Sequence, residues 1–389
     1  MGLADTVLAP LAAIRRLLPR RRPAGIPGAI LLLRLERIGD LLMTLGAIQA
    51  IRRRAPRARI TLAVGSWNGA VARLVPGLDR VETLDMPWLA RGARPAGIAH
   101  LLRAGRRWRR RRFDLAINFE GDIRTNALMW LSGARRRVGF GMAGGGPLLT
   151  DCVPYDPGAH VAANAMRLVE RAFGAESAGL TEPREASARL SVPAEARARA
   201  ADLLGRDPTG GPLVGVHASG GREIKQWAPA RFAEVAARLA RSHGARIVLS
   251  GSAADRALVD RLRAALPAGV PCWDLSGDDD LVTLAAVIER LSVFVTGDTG
   301  PMHLAAAVGT PIVALFGPSD PRRWGPLADN AAIVRIDLPC SPCNRIRRPP
   351  SRCTGRVPDC LAGISAGDVF DAVASVLDSR GRGGPADGR

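Results

Sequence analysis

The hydrophobic pattern of the first half of the chain alternates short apolar runs with segments of helical periodicity. It predicts strands at 30–34, 59–64, 81–84 and 114–118, and helices at 41–54 and about 98–111. Short apolar runs bounded by Gly or Pro are typical of buried strands. Strands that alternate with helices pair in parallel, with helices on both faces of the sheet.

The same pattern restarts after Pro212. Strands are predicted at 213–216, 246–250, 293–295 and 312–316, with helices at 230–242, 281–291 and 302–307. Because both halves alternate in this way, we predict an α/β protein with two Rossmann-like, doubly wound domains that face each other across a cleft. Ligands of such domains bind beyond the carboxyl ends of the strands.

The length of 389 residues supports two domains, since one domain typically takes ~150 residues. We predict an amphipathic, basic N-terminal extension at 1–28, a first domain at 29–185, a linker with a helix at 186–211, a second domain at 212–378 and a flexible tail at 379–389. No apolar run approaches the ~20 residues of a membrane-spanning helix.

The net charge of +19 comes almost wholly from Arg, which clusters at 20–22, 52–54, 106–112 and 135–137. Such an excess favours partners that carry phosphate, whether a nucleic acid, an anionic membrane surface or a phosphorylated glycolipid. For any single cluster, a solvated helix face is the simpler interpretation. A nucleic-acid-binding protein is the weaker alternative, because the chain has one Tyr and no recognised binding module.

Residues 1–22 do not resemble a secretory signal, because the segment is short and lacks a small-residue cleavage site. We therefore expect a cytoplasmic protein. Apolar residues in this segment recur at helical spacing among arginines, which predicts a peripheral position at the inner face of the cytoplasmic membrane.

Lys225 is the single lysine among 55 Lys and Arg residues. A compact ammonium on a flexible stem is not equivalent to the planar guanidinium fork, so a chain that otherwise uses Arg has reason to keep Lys here. We predict that Lys225 is a phosphate ligand. The alternative is an ordinary surface residue spared by codon bias.

Two loops follow predicted strands and precede helices. At 296–303, glycines permit a tight turn and Pro301 suits the first helical position, so the helix N-terminus could hold a diphosphate. A plain strand-to-helix turn is the alternative. In the other loop, Asp40 is either a helix cap or a general base facing an acceptor hydroxyl. The segment 139–144 matches a dinucleotide fingerprint but lacks the helix that should follow, so we interpret it as a mobile Gly-rich loop at the cleft edge.

The order of these motifs resembles glycosyltransferase family 9, the family of the lipopolysaccharide heptosyltransferases, over residues 30–376. The matching segments are 34–43, 114–121, 135–140, 217–232, 297–307 and 316–321. The resemblance implies a GT-B fold, in which the N-terminal domain binds the acceptor and the C-terminal domain binds a nucleotide-diphosphate sugar. The chain departs from the family at Asn118 and Glu120, where Asp and Gln are common, and this bears on acceptor identity.

The resemblance also implies roles for individual residues. Asp40 matches the proposed base, and Lys225 matches the lysine that contacts the diphosphate. The other matches to donor-binding positions are Ser219, Gly220, Asp255, Asp298, Thr299, Gly300 and His303. Of these, Asp255 is aligned only loosely, near an acidic residue on the nucleoside side.

Four of the six cysteines lie in a Pro- and Arg-rich loop at 340–360. They are Cys340, Cys343, Cys353 and Cys360. Four thiolates that begin with a C-x2-C pair could form a structural zinc site, and a cytoplasmic setting argues against disulfides. Because the later spacing is irregular, unligated or redox-paired cysteines are an equal alternative. Catalysis should require no cofactor, since Lys225 and a helix N-terminus can assist departure of the diphosphate.

These features predict an inverting glycosyltransferase. Its expected donor is a nucleotide-diphosphate sugar, heptose from ADP-heptose above all, and its expected acceptor is a lipid-linked or oligosaccharide molecule such as the lipopolysaccharide core. A binding subunit with the same fold but without catalysis is the alternative, which the presence of Asp40 disfavours.

Overall fold

The computed structural model describes residues 25–86, 98–174, 188–205, 210–277 and 280–382. The chain divides into two compact units, and the division falls between Leu190 and Ser191. Each unit contains one parallel sheet with helices packed on it. The predicted fold class, an α/β protein of two doubly wound units, is confirmed. The predicted N-terminal extension lies outside the described residues as far as residue 24.

The sheet of the first unit has the order β3-β2-β1-β4-β5-β6, and its strands pair in parallel. The strands are β1 (Ala29–Arg34), β2 (Arg59–Val64), β3 (Arg80–Thr83), β4 (Leu115–Asn118), β5 (Arg136–Phe140) and β6 (Asp151–Val153). Every residue of β1 is buried, as expected of a central parallel strand covered on both faces. Ile30 lies beside Ile60 of β2 on one side and Leu115 of β4 on the other.

The sheet of the second unit has the order β12-β11-β10-β7-β8-β9 and is also parallel. The strands are β7 (Leu213–His217), β8 (Arg246–Leu249), β9 (Cys272–Asp274), β10 (Val293–Gly297), β11 (Ile312–Leu315) and β12 (Ala331–Val334). Counted from the first strand of each unit, both sheets have the doubly wound order 3-2-1-4-5-6. The topological switch points lie between β1 and β4 and between β7 and β10, and binding sites form at such points.

Most helices of each unit connect successive strands. The helices of the first unit are α1 (Ile38–Leu42), α2 (Leu45–Arg54), α3 (Gly69–Ala72), α4 (Ile98–Arg110), α5 (Ile123–Leu131) and α6 (Val161–Phe173). Those of the second unit are α7 (Ala194–Leu204), α8 (Pro229–His243), α9 (Arg256–Ala264), α10 (Leu281–Glu289), α11 (Gly300–Val308), α12 (Pro321–Trp324), α13 (Asp359–Ala362) and α14 (Ala366–Arg382). Helices α6 and α7 lie between the two sheets in sequence, and α13 and α14 follow the last strand. Among the helices of the described ranges, none has the length and apolar character needed to cross a bilayer.

Each unit has its own hydrophobic core. In the first, Trp108 of α4 is fully buried against Leu31 and Leu33 of β1, and its indole N–H donates to Glu82 at 2.7 Å. In the second, Trp227 and Phe232 pack edge to face with their ring centroids 4.8 Å apart. A buried indole that finds a polar partner adds both apolar area and a hydrogen bond.

Two segments differ in detail from the pattern-based predictions, whereas the helix expected in the linker is present. The helix predicted at 41–54 is two helices, α1 and α2, and the Thr44 hydroxyl between them donates to the Asp40 carbonyl at 2.7 Å. The predicted linker at 186–211 contains α7, which packs on α10 through two Arg197–Glu289 hydrogen bonds of 2.6 and 2.8 Å. Helix α14 extends to Arg382 and thus into the predicted tail.

Candidate functional site

In the first unit, Arg34 joins the loops that follow β1 and β4. It is the last residue of β1, and its side chain is only 4% exposed. The guanidinium donates to the Phe119 carbonyl at 2.9 Å, to the Asp40 carbonyl at 3.0 Å and to the Asp40 carboxylate at 3.3 Å. A buried arginine therefore fixes Asp40 relative to the C-terminal end of the neighbouring strand.

Asp40 lies in the first turn of α1, where the sequence allowed either a helix cap or a general base. The N-cap residue of α1 is Arg37, and no side chain caps this helix. Instead the Asp40 carboxylate pairs with Arg34, and its side chain remains 23% exposed. The cap interpretation is wrong, and the carboxylate is accessible to a ligand.

Glu120, which follows β4, is a site residue whose role the sequence did not indicate. Its side chain is buried, and one carboxyl oxygen accepts hydrogen bonds from the backbone N–H groups of Leu35 and Glu36, the latter at 2.9 Å. Burial and the nearby Glu36 carboxylate raise the pKa of Glu120 to about 8, against the opposing effect of Arg34 and the backbone donors.

Asn118 supports the same region from within β4. Its amide donates to Thr125 at 2.9 Å and to Asn126 at 2.7 Å, and its carbonyl oxygen accepts from the Glu120 N–H at 3.1 Å. The sequence marked Asn118 and Glu120 as departures that bear on acceptor identity. In the structure both are buried and hydrogen-bonded to protein atoms, so they shape the loops around Asp40.

In the second unit, Lys225 and Asp298 come together beyond the adjacent strands β7 and β10. Lys225 ends a short 3-10 turn, and its ammonium donates to the Asp298 carboxylate at 3.0 Å and to the Asp298 backbone carbonyl. The two side chains are 16% and 15% exposed. The sequence placed both residues in donor-binding loops, and the structure shows that they contact each other.

Helix α11 begins two residues after Asp298. Thr299 is its N-cap and accepts from the Met302 N–H at 3.3 Å, Gly300 is the first helical residue, and Pro301 follows as predicted. The first N–H groups of a helix have no partner within it and form its positive end. His303, one turn into α11, is buried. The amides of Thr299 and Gly300 and the Lys225 ammonium therefore lie around one strand end.

Ser219 and Asp255 form a second pair in the same unit. The Ser219 hydroxyl donates to the Asp255 carboxylate at 2.6 Å, and Asp255 also accepts from Ser252 as part of a capping box. Although burial opposes ionisation, these hydrogen bonds lower the pKa of the Asp255 carboxyl. The structure thus joins the loosely aligned Asp255 to the loop that contains Ser219.

Gly220 connects this pair to Lys225. A Cβ atom at Gly220 would lie 2.7 Å from the backbone carbonyl of Lys225, so a side chain there would push the Lys225 turn away. Next to the loop, His217 is buried, and burial lowers the pKa of its imidazole to about 4. His217 is consequently neutral, and Lys225 is the cation of this loop that points towards the strand end.

The four loop cysteines line a single cavity in the second unit, together with Pro318 and Arg345. All are free thiols, and burial together with the neighbouring thiols raises the pKa of Cys360 to about 11. Across the described ranges, however, no three His, Cys, Asp or Glu side chains are grouped so that they could hold a metal ion. The zinc site remains a prediction.

The Gly-rich segment 139–144 is not a dinucleotide loop. Gly139 and Phe140 belong to β5, and two short 3-10 turns rather than a helix lead from it to β6. A Cβ at Gly141 would lie 2.5 Å from the Cys152 sulfur, so close packing explains why position 141 is a glycine. The prediction that this match is incidental is confirmed.

Comparisons with known proteins agree with this geometry. The family model described as "Glycosyltransferase family 9 (heptosyltransferase)" matches residues 101–351. Lipopolysaccharide heptosyltransferase 2 of Salmonella typhimurium is 27% identical over 310 residues, which cover 77% of this chain and 85% of that protein. Lipopolysaccharide heptosyltransferase 1 of Pseudomonas aeruginosa is 27% identical over 331 residues, covering 81% and 85%.

Solved structures share the fold over nearly their whole length. The glycosyl transferase family 9 structure from Veillonella parvula matches with a TM-score of 0.77 at 24% identity, covering 90% of this chain and 98% of that one. ADP-heptose lps heptosyltransferase II of E. coli matches with a TM-score of 0.72 at 21% identity, covering 91% and 99%.

Proposed function

Because this chain belongs to glycosyltransferase family 9, and is therefore a glycosyltransferase, we propose that it transfers heptose from ADP-heptose to a lipid-linked or glycan acceptor of the lipopolysaccharide core type. The donor and acceptor are proposed from the relatives, which are named as lipopolysaccharide heptosyltransferases. The observation that carries the proposal is the meeting of Lys225, Asp298 and the N-terminus of α11 at the switch point of the second sheet.

Diphosphate binding at this point follows from simple electrostatics. The Lys225 ammonium has three N–H groups, of which two go to Asp298, so one can bind a phosphate oxygen. The amides of Thr299 and Gly300 add donors at the positive end of α11. As the bond between the sugar and the diphosphate breaks, charge develops on the leaving oxygen, and these groups stabilise it. The proposed mechanism therefore does not depend on a metal ion.

Asp40 is the proposed base on the acceptor side. Its carboxylate would accept the proton of an acceptor hydroxyl while that oxygen forms the new bond to the anomeric carbon, and the nucleoside diphosphate leaves from the opposite face. This single displacement inverts the anomeric configuration. Arg34 holds the carboxylate of Asp40 in place. The Asp40 side chain is 23% exposed, which is enough to meet an acceptor.

The arginine clusters divide into structural and exposed groups. In the cluster at 135–137, Arg136 pairs with Asp151 at 3.1 Å and Arg137 is buried, so these residues support the fold. In α4, Arg107 pairs with the buried Glu82 and is itself exposed, and Arg106 and Arg110 are exposed as well. We propose that the exposed arginines attract the enzyme to an anionic membrane at the cytoplasmic face, where a lipid-linked acceptor would lie. A nucleic-acid partner is not expected.

A donor screen tests the function directly. Wild-type protein is incubated with each nucleotide sugar and a truncated lipopolysaccharide core, and the released nucleoside diphosphate is measured. We expect release with ADP-heptose that depends on the acceptor and is lost in Asp40→Asn. A protein that binds ADP-heptose but releases nothing would instead be the non-catalytic binding homologue.

A further inference from the structure

The loop that leads from β1 to Asp40 is held by side chains from the segments that follow the two neighbouring strands, β4 and β2. The Glu36 N–H donates to Glu120 after β4 at 2.9 Å. The Glu36 carbonyl accepts from the Trp67 indole at 2.7 Å and from Asn68 at 2.8 Å, both after β2. The backbone N–H and the backbone carbonyl of Glu36 are thus both hydrogen-bonded, four residues before the proposed base Asp40.

Glu120 is the unusual member of this arrangement. A buried carboxyl group is costly unless it is hydrogen-bonded, and this one uses a single oxygen to bind two consecutive backbone N–H groups, those of Leu35 and Glu36. Any neutral side chain with a carbonyl oxygen at the same point could make these bonds. A smaller apolar side chain could make neither, and the buried Leu35 N–H and the partly buried Glu36 N–H would both lose this partner.

Resting on the proposed role of Asp40 as base, we propose that Glu120 is a positioning residue for it. Glu120 fixes the backbone of Leu35 and Glu36, α1 starts two residues later at Ile38, and Asp40 follows in the first turn. Arg34 acts on the carboxylate of Asp40, and Glu120 acts on the backbone that carries it. An error of about 1 Å in the position of a reacting group can cost ~10²-fold in rate.

The protonation state of Glu120 matters because of its charged neighbours. The groups that face it are the Glu36 carboxylate and the Arg34 guanidinium, which lie 3.9 Å from each other. Since the pKa of Glu120 is raised to about 8, the group is neutral at neutral pH. At higher pH Glu120 would ionise and place a negative charge beside the Glu36 carboxylate. The Glu120 carboxylate would then compete with the Asp40 carboxylate for the Arg34 guanidinium. The reaction should therefore lose rate above about pH 8.

Four variants separate positioning from a general structural role. Initial rates are measured from pH 5.5 to 9.5 with ADP-heptose and a truncated lipopolysaccharide core, and ADP binding is measured by calorimetry. We expect Glu120→Ala to lower kcat by ~10- to 100-fold with an unchanged Kd for ADP. Glu120→Gln should keep kcat within about threefold, because its amide oxygen accepts the same bonds, and should lose the alkaline decline. Glu36→Gln should move the decline to lower pH.

Glu234→Gln is the matched control, since it makes the same chemical change at an exposed glutamate of α8 in the other unit. It should leave kcat, the Kd for ADP and the pH profile unchanged. The proposal is overturned if Glu120→Ala retains the wild-type kcat, or if Glu120→Gln retains the decline near pH 8.

Two further measurements do not depend on catalysis. The native pKa of Glu120 lies above its ordinary value of 4.5, so between 4.5 and about 8 the native state binds more protons than the unfolded state. The free energy of unfolding should therefore fall across this interval, and Glu120→Gln should remove that contribution. In hydrogen exchange, Glu120→Ala should expose the amides of residues 35–40, whereas Glu234→Gln should not.

These experiments distinguish a failure of the positioning proposal from a failure of the proposed function. If wild-type protein turns over no nucleotide sugar, the proposed function fails, while the pH slope and the exchange of residues 35–40 still report on Glu120. If exchange in Glu120→Ala equals that of wild type, Glu120 does not hold the loop, and the positioning proposal is wrong whatever the activity.

Discussion

Replacing Lys225 with Met removes the ammonium but keeps a long, flexible, apolar stem. The structure indicates two effects on a bound diphosphate. One N–H donor to phosphate is lost, and the Asp298 carboxylate, which Lys225 neutralises at 3.0 Å, is left without its cation. Both effects act on the phosphates, and neither concerns the nucleoside. The loss should therefore appear in ligands that carry a diphosphate.

The size of the effect follows from the burial of the pair. A hydrogen bond to a charged group contributes about 1.5–3 kcal/mol, which corresponds to ~10- to 150-fold in Kd. Because the side chains are only 16% and 15% exposed, solvent screens the interaction weakly. We expect Lys225→Met to raise the Kd for ADP by ~10- to 100-fold and that for adenosine by less than about twofold. The Kd of Lys225→Arg for ADP should lie between those of wild type and Lys225→Met, since the guanidinium fork differs in shape from the ammonium.

Calorimetry with ADP, AMP and adenosine at one ionic strength is the assay. Lys225→Met/Asp298→Asn should recover part of the lost ADP affinity, because the uncompensated carboxylate is gone. Arg261→Met, at an exposed position of α9, is the control for loss of one positive charge and should change none of the three affinities appreciably. Equal losses for ADP and adenosine in Lys225→Met would refute the phosphate role.

Three further results are expected. Asp40→Asn should lower kcat by ~10²-fold or more with little change in the Kd for ADP, since that is the usual contribution of a general base; equal turnover in wild type and variant would make Asp40 a structural residue. If the four loop cysteines bind zinc, protein purified without chelator should carry about one zinc per chain, and Cys340→Ser should release it; metal-free protein with freely titratable thiols would favour unligated cysteines. In liposome sedimentation, binding should require anionic lipid, fall with added salt and weaken on deletion of residues 1–22. Protein that stays in the supernatant with anionic vesicles at low salt would show that the positive charge is only a solvated surface.

The central strands were predictable because burial on both faces leaves a simple pattern. β1 and β10 appear in the sequence as continuous apolar runs, and both were placed within one or two residues. The break between α1 and α2 was not predictable, because apolar residues continue at helical spacing through it. A local contact, the Thr44 hydroxyl on the Asp40 carbonyl, accompanies the break.

The individual site residues were easier to predict than their contacts. Lys225 and Asp298 were each placed in a loop after a strand, but their pairing depends on β7 lying next to β10, which is a property of strand order. Glu120 is separated from Leu35 by 85 positions, and the two meet because β1 pairs with β4. Such contacts carry no local signal, so the sequence showed Glu120 only as a departure from its family.

The separation of the two cores has a consequence for synthesis on the ribosome. All strands of the first sheet, as far as β6 (Asp151–Val153), are translated before β7 (Leu213–His217). The second core, in contrast, includes Val369 and Val373 of the C-terminal helix α14, both fully buried. The half that contains Asp40 can therefore complete its long-range pairings while translation continues, whereas the half that contains Lys225 must wait for the end of the chain. A chain that ended before α14 would lack Val369 and Val373, and the core of its second unit would be open.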